Sequence, residues 1–147
     1  MNRLPGIVTA IDSCGSVALI DVASANHHLT ATVVDASGQA QRWRIGMAVT
    51  LLFAETDVAL AKELSGRISM RNRIHATVLE IERGQILSKV VLEVAEHRLQ
   101  SIITTRASAA LALEAGDRVE ALVKANEMSV IVGHAASPEA EGIRDGT

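Results

Sequence analysis

Short hydrophobic runs of about five to eight residues, alternating or continuous and rich in β-branched side chains, recur along the chain between turn residues. In the second half these runs predict strands at Ile74–Glu82, Ile86–Val94, Leu99–Thr104, Val119–Lys124 and Ser129–Val132. Between the third and fourth strands, Ala107–Leu113 is rich in alanine and leucine and lacks Gly and Pro, which predicts a short helix. This order of elements is typical of a small barrel of the oligonucleotide/oligosaccharide-binding type.

The first half of the chain repeats this pattern. A shift of 70 residues aligns His27-His28-Leu29 with His97-Arg98-Leu99, and no gap is needed from His27 to Ala61. We therefore expect an all-β chain of two tandem five-stranded barrels, each a closed unit with a short helix. The predicted units are residues 1–61, a connector at 62–68, residues 69–132, and a disordered tail from 133. The helix of the first copy is replaced by Ser37–Gln41, a poorer helix former.

The size of one such barrel predicts that it does not stand alone. A domain of this size buries only about 60% of the surface of its unfolded chain and is marginally stable. Continuous aliphatic segments such as Val90-Val91-Leu92 and Ile102-Ile103 also indicate strands that are covered on both faces. Both observations favour association between the copies or between several chains.

Composition excludes several classes of function. The chain has 147 residues, a formal charge of −3 and an aromatic content of 1%, with Phe53 and Trp43 its only aromatic side chains of the Phe, Trp and Tyr class. A nucleic-acid partner is therefore not expected, because single-strand binders stack bases on aromatics in a basic groove. No signal peptide and no run of roughly 20 apolar residues is present, which predicts a cytoplasmic protein without a membrane segment. The single cysteine, Cys14, fits a reducing compartment.

Two short segments supply hydrogen-bond donors at the mouths of the predicted second barrel. Ser69-Met70-Arg71-Asn72 precedes its first strand, and Lys124-Ala125-Asn126 follows its fourth. Hydroxyl, amide, guanidinium and ammonium groups without a carboxylate suit a fully ionised tetrahedral oxyanion, which can only accept hydrogen bonds. No nucleophile with an acid–base partner, no Gly-rich phosphate loop and no histidine pair at metal-ligand spacing accompanies them. We expect a binding protein that is not an enzyme and that holds no organic cofactor.

The order and spacing of these motifs resemble the molbindins, the Mop-domain family that binds molybdate and tungstate. Ser69-Met70-Arg71-Asn72 stands at the family's Ser-x-Arg-Asn start, Val78–Gly84 follows as first strand and turn, and Val123-Lys124-Ala125 matches its lysine turn. The resemblance implies trimers of tandem chains with oxyanions held between subunits. Carried over to this chain, the family's oxyanion site would comprise Ser69, Arg71, Asn72, Thr104, Ser108, Lys124, Ala125 and Asn126.

The first copy resembles the same domain in a degraded form. Met1 occupies the arginine position, Val34 the threonine position and Ala54-Glu55 the Lys-Ala position, which leaves Asn2, Ser37 and Thr56 as polar remnants. In the second copy, Ala107 replaces a family serine, with Ser108 one place later, and Glu127 follows Asn126. A carboxylate facing the pocket would repel a dianion, so Glu127 is expected to point to solvent.

The function implied is storage, buffering or homeostasis of molybdate or tungstate by a homotrimer. The alternative is an oligomeric scaffold or ligand-sensing module that has lost anion binding. A third possibility, the regulatory domain of a transporter ATPase or transcription factor, lacks support because no Walker motif or helix-turn-helix is attached.

Overall fold

The computed structural model describes residues 1–34 and 42–133 and consists of two curled antiparallel five-stranded sheets and one short α-helix. The predicted all-β fold is confirmed. The strands are β1 Asn2–Cys14, β2 Val17–Ser24, β3 His27–Val34, β4 Ala48–Phe53, β5 Ala59–Ala61, β6 Asn72–Arg83, β7 Leu87–Val94, β8 His97–Thr104, β9 Arg118–Val123 and β10 Ser129–Val132. The helix α1 spans Thr105–Ala110, and single 3-10 turns follow β4 at Glu55–Asp57 and β9 at Ala125–Glu127. Ser37–Gln41 and the tail after Gly133 lie outside the described residues.

The two sheets exchange their last strands. The first sheet has the order β10-β4-β1-β2-β3, and the second has the order β5-β9-β6-β7-β8. The prediction that each copy is a closed unit is therefore wrong. The 3-10 turn after β4 packs against β8 of the second sheet, and the turn after β9 packs against β3 of the first. Each turn thus carries the chain across to the other sheet, and it ends on a buried side chain, Val58 or Met128, in the shared core.

Backbone irregularities recur in both sheets at the 70-residue offset of the sequence alignment. The register of β1 and β2 shifts between Val8 and Ala10, and that of β6 and β7 shifts between Val78 and Glu80. Gly46 and Gly116 both have φ above +90°, a conformation that glycine adopts without a steric penalty. Their N–H groups donate to the carbonyls of Val8 and Val78, at 2.8 and 2.7 Å, so each glycine turn is joined to a bulge.

Two buried asparagines join the halves by equivalent hydrogen bonds. The Asn72 side chain accepts from the Thr30 main-chain N–H at 2.7 Å and donates to the Thr30 carbonyl at 2.9 Å. The Asn2 side chain accepts from the Gln100 N–H at 2.8 Å and donates to its carbonyl at 2.9 Å. These bonds satisfy main-chain groups of β3 and β8, the edge strands of the two sheets.

One hydrophobic cluster runs through both sheets. Its fully buried members include Leu4, Ile20, Phe53, Ile74 and Leu92 on the strands, and Met128 at the end of the second 3-10 turn. The core is therefore shared, as the exchanged strands require. In the described parts of the chain no helix is long and apolar enough to cross a membrane.

Candidate anion-binding site

Arg71 and Lys124 lie side by side at one end of the second sheet. Asn72 pairs with Val123 in the antiparallel ladder of β6 and β9, and Arg71 and Lys124 are the next residues outward on the two strands. Both side chains are exposed, and neither has a hydrogen-bond or ion-pair partner within residues 1–34 and 42–133. Ser69, also exposed, lies two residues before Arg71. We call Ser69, Arg71, Lys124, Ala125 and Asn126 the cationic end.

The 3-10 turn Ala125–Glu127 adds main-chain donors to this end. Lys124 precedes the turn in an extended conformation, with φ −69° and ψ 145°. The N–H groups of Glu127 and Met128 bond back to Lys124 and Ala125, whereas those of Ala125 and Asn126 have no partner in the described chain. Consecutive free N–H groups beside two cations favour an anion.

Arg71 and Lys124 differ from Arg73 and Lys62, whose charges are neutralised by ion pairs. Arg73 donates to both Glu120 oxygens at 3.0 and 2.8 Å, which holds the pKa of Glu120 below its ordinary value. Lys62 donates at 3.0 Å to Asp117, whose pKa is lowered chiefly by the Glu114 N–H and then by this bond. The positive charges of Arg71 and Lys124, in contrast, have no ion-pair partner in the described chain.

The side chains of Asn72 and Ser108, both predicted as ligands, form hydrogen bonds inside the protein. The Asn72 amide is fully buried and bonded to Thr30, and its nitrogen also lies 3.7 Å from the Met128 sulfur. The Ser108 hydroxyl is 1% exposed and donates its hydrogen to the Thr105 carbonyl at 2.8 Å. Neither side chain has a donor left for an external anion, because a hydroxyl has one hydrogen and the amide two.

Thr104 lies at the opposite end of the second sheet from the cationic end. It pairs with Leu87 at the last position of β8, and Ser88 pairs with Arg83 at the far end of β6. Asn72 and Arg83 are separated by eleven residues, roughly 36 Å of strand at about 3.3 Å per residue. The exposed Thr104 hydroxyl accepts from the Ala107 N–H at 3.0 Å and keeps its own hydrogen as a donor. Within one chain, the second sheet therefore does not place Thr104 beside Arg71 and Lys124.

The cationic end instead lies against the first half. Its turn packs on β3, and the Thr32 N–H donates to the Met128 carbonyl at 3.2 Å. β3 ends at Val34, which is 74% exposed and stands 70 residues before Thr104. Glu127, on the same turn, is exposed and unpaired in the described chain, in agreement with the expectation that it faces solvent.

The equivalent turn of the first half has a different chemistry. Glu55 stands at the position of Ala125, and its Oε2 lies 2.6 Å from the α-ammonium of Met1, at the position of Arg71. The pKa of Glu55 is lowered chiefly by this hydrogen bond and also by its own main-chain N–H. Sequence reasoning treated this position only as a missing cation, because side-chain types alone do not reveal an ion pair with the chain terminus.

Two histidines, His27 and His75, are in contact, which their spacing in the sequence did not predict. The rings of His27 and His75 stack with centroids 5.7 Å apart, and the His75 main-chain N–H donates to His27 Nε2 at 3.0 Å. His27 Nδ1 donates to the Ala25 carbonyl at 2.7 Å, so both ring nitrogens are used. No group of three or more His, Cys, Asp and Glu side chains in the described ranges could hold a metal ion, and His134 lies outside them.

Comparison with known proteins agrees with the fold and the motifs. Residues 68–130 match the TOBE domain family. The chain is 38% identical over 123 residues to the molybdenum import ATP-binding protein ModC of Brucella abortus, covering 83% of this chain and 32% of ModC. It is 29% identical over 134 residues to the molybdenum transport protein ModE of Herbaspirillum seropedicae, covering 89% of this chain and 50% of ModE. The chain thus spans about a third to a half of these relatives.

A solved structure extends the likeness to both sheets. The cytoplasmic molybdate-binding protein ModG, solved with molybdate bound, superposes with a TM-score of 0.83 at 28% sequence identity. The match covers 89% of this chain and 95% of that chain. These findings support the Mop/TOBE family for this chain, and its oligonucleotide/oligosaccharide-binding-like fold matches that of ModG.

Proposed function

With the match of residues 68–130 to the TOBE family as the premise, we propose that this protein binds molybdate or tungstate at the cationic end. The observation that carries the proposal is the pair Arg71 and Lys124, adjacent, exposed and unpaired in the described chain, beside the free N–H groups of Ala125 and Asn126. The names of ModG, ModE and ModC, which concern molybdate or molybdenum, support molybdate as the anion.

The hydrogen-bond donors of the proposed site determine which oxyanions it selects. Molybdate and tungstate are fully ionised near neutral pH and accept hydrogen bonds on all four oxygens. Phosphate keeps a proton that needs an acceptor, and a pocket of donors leaves that proton unsatisfied at a cost of about 1–3 kcal/mol. Sulfate also lacks a proton at this pH and is distinguished by size alone.

The separation of Thr104 from Arg71 supports a pocket made by more than one chain. If Thr104 contributes its hydroxyl, it comes to the Arg71–Lys124 pair from a neighbouring subunit. Contact between two different ends of the same protein is heterologous and gives a ring where the rotation closes, and the family resemblance implies a ring of three subunits. Exposed apolar side chains beside the Thr104 end, Ile86 and Leu87, supply area for such a contact. Ser69 completes the donor set from the connector side.

The role proposed for the protein is intracellular storage or buffering of the oxyanion in the cytoplasm. Its chemistry is reversible binding with no catalysis and no organic cofactor. The cytoplasmic protein ModG supports this role, since its match covers nearly its whole length.

A second role is favoured by the curated relatives. ModE and ModC are named for molybdenum transport and import, and this chain matches about half and a third of them. In that role the same binding event signals anion supply to a partner, and an extreme form is a scaffold that no longer binds the anion.

Isothermal titration calorimetry of metal-free protein with molybdate, tungstate, sulfate and phosphate tests the proposal. We expect heat of binding for molybdate and tungstate and none for phosphate at the same concentration. Absence of binding to both metal oxyanions would leave the scaffold role, and equal competition by phosphate would contradict a donor-only pocket. Multi-angle light scattering is expected to give a trimer, and a monomer with and without molybdate would remove the composite pocket.

A further inference from the structure

One edge of β6 is held by side chains of the first half before β7 begins. β6 pairs with β9 from Asn72 to Thr77, whereas its pairing with β7 starts only at Thr77. On the edge left open, the His75 main-chain N–H donates to His27 Nε2 at 3.0 Å, and the Asn72 amide bonds to Thr30. β3 therefore lies along this part of β6, with His27 beside His75 and Thr30 beside Asn72.

The two hydrogen bonds of the His27 ring fix its protonation state. The Ala25 carbonyl, 2.7 Å from Nδ1, can only accept, so Nδ1 carries the hydrogen. The His75 N–H can only donate, so Nε2 offers its lone pair. A proton on Nε2 would set two hydrogens against each other. The neutral ring is therefore the form that joins β3 to β6.

The groups around His27 make it the proton-sensitive member of the stacked pair. The His75 ring lies on His27 with centroids 5.7 Å apart, and its Nε2 is 4.0 Å from a Glu120 oxygen. The exposed His75 ring can take up a proton beside this carboxylate without losing the contact with β3. Arg73 of β6 is paired with Glu120, and His28, the next residue of β3, is exposed. A proton on His27, in contrast, breaks its bond to β6.

The equivalent junction of the first half has no such bond. Pro5 stands 70 residues before His75 and has no N–H, so it needs no acceptor. His97 stands 70 residues after His27, and its side chain makes no hydrogen bond within residues 1–34 and 42–133. Of the two junctions, the proton-sensitive one is therefore the one beside the cationic end.

From this geometry we propose that His27 is a proton-sensitive clasp, a positioning residue that holds β6 against β3 and thereby fixes the position of Arg71. Arg71 directly precedes β6 and lies roughly 13 Å of strand from His75. The closed clasp needs an unprotonated Nε2 and binds one proton fewer than the open one, so it closes as the pH rises and opens as the pH falls. An imidazole changes charge between about pH 5 and 8, which is the range in which the clasp works.

Nuclear magnetic resonance of the full chain tests the clasp without any ligand. The measurement uses a His75→Gln background, which removes the titration of that ring and keeps its main-chain N–H. Between about pH 8 and about pH 5, we expect the amide of residue 75 to lose at least tenfold of its protection from hydrogen exchange, with the midpoint of the His27 ring. Adding His27→Gln should abolish this change, because the glutamine oxygen accepts the same N–H and does not titrate. His97→Gln is the matched control and should leave the change intact. Protection that stays constant while His27 titrates, or that falls equally in His27→Gln, overturns the clasp.

Calorimetry with molybdate at about pH 7 and about pH 5.5 tests the effect on Arg71, which rests on the proposed function. Between these pH values, wild type and His97→Gln should lose at least about threefold more affinity than His27→Gln, since acid effects on the anion itself are common to all three proteins. Equal losses in all three would overturn the positioning of Arg71. If wild type binds no molybdate at either pH, the proposed function fails, and the clasp stands or falls on the amide of residue 75.

Discussion

The two 3-10 turns that follow β4 and β9 share a backbone and differ in charge. Ala54 precedes the first turn with φ −76° and ψ 150°, and Lys124 precedes the second with φ −69° and ψ 145°. Corresponding main-chain hydrogen bonds close the two turns at 3.0 and 2.9 Å. Yet a carboxylate and the Met1 ammonium fill the first, whereas Arg71 and Lys124 stand unpaired at the second in the described chain.

The comparison shows that the fold and the site depend on different residues. Bulges, glycine turns and bridging asparagines recur in both halves because each sheet must close against the other. The charged side chains at the turns, Glu55, Arg71 and Lys124, are exposed or half-buried and are not needed to close the sheets. The anion chemistry of one turn can therefore change while the architecture around it stays the same.

The largest expected effect tests the shared architecture. Asn72→Ala and Asn2→Ala should each lower the free energy of unfolding by about 2–4 kcal/mol, because each leaves an edge-strand N–H and carbonyl without a partner. Urea denaturation measures this effect as a shift in the midpoint. If Asn72→Ala lost molybdate affinity at unchanged stability, its side chain would be a ligand, as the family resemblance implies.

The next largest loss of stability is expected at Gly6, where two strands of the first half lie close together. A Cβ on Gly6 would lie 2.4 Å from Val22 Cγ1 and 2.6 Å from the Ala23 carbonyl oxygen, so Gly6→Ala should destabilise the protein by about 2 kcal/mol. Its equivalent in the second half, 70 residues later, is Ala76, where Ala76→Gly should cost only about 0.5–1 kcal/mol. Thermal unfolding of the two variants compares them directly, and similar losses would contradict this asymmetry.

The third effect is a loss of molybdate affinity when either positive charge at the second turn is removed. Arg71→Ala and Lys124→Ala should each weaken molybdate binding at least tenfold, about 1.4 kcal/mol, since each removes a charged donor. Both variants should keep wild-type stability because both side chains are exposed. Arg98→Ala removes an exposed positive charge from the start of β8 and is the control for net charge. Calorimetric affinities equal to wild type in both variants would place the pocket elsewhere.

The smallest effect is a difference in acid sensitivity. Because Arg73 lowers the pKa of Glu120 below 4.5, this pair stabilises the fold fully above that pH and progressively less as the pH falls toward the folded-state pKa. Glu120→Gln should therefore destabilise the protein at neutral pH and have less effect in acid. Unfolding in urea at about pH 7 and about pH 4 measures the change. Glu93→Gln, an exposed carboxylate, is the control, and a pH-independent loss in Glu120→Gln would contradict the ion-pair explanation.

Hydrophobic periodicity predicted the local elements of the fold. The strand expected at Ile86–Val94 is observed at Leu87–Val94, and Ser129–Val132 is observed as predicted. The helix expected at Ala107–Leu113 instead spans Thr105–Ala110, because the Thr104 hydroxyl caps it by accepting the Ala107 N–H. Local patterns locate each second-half strand to within two residues of its observed start.

The exchange of strands and the distribution of the site were beyond sequence reasoning. The alternation of Ser129–Val132 fits either sheet equally, since pairing with β4 or β9 buries the same side chains. The motif around Asn72 predicted polar chemistry but not its direction, and the amide faces Thr30. Only the register of β7 and β8 shows that Thr104 lies far along the sheet from Arg71. Long-range pairing, which determines these outcomes, leaves little trace in neighbouring residues.

The exchanged strands also bear on how the chain folds as it is synthesised. The first sheet requires β10, so it stays incomplete until residues 129–132 have left the ribosome. Closing it brings β10 to β4 across more than seventy intervening residues, a pairing of high contact order that forms slowly. Until then the edge of β4 is exposed to other nascent chains. Slowing translation within the second half should therefore lengthen the period in which this protein can pair with another copy of itself.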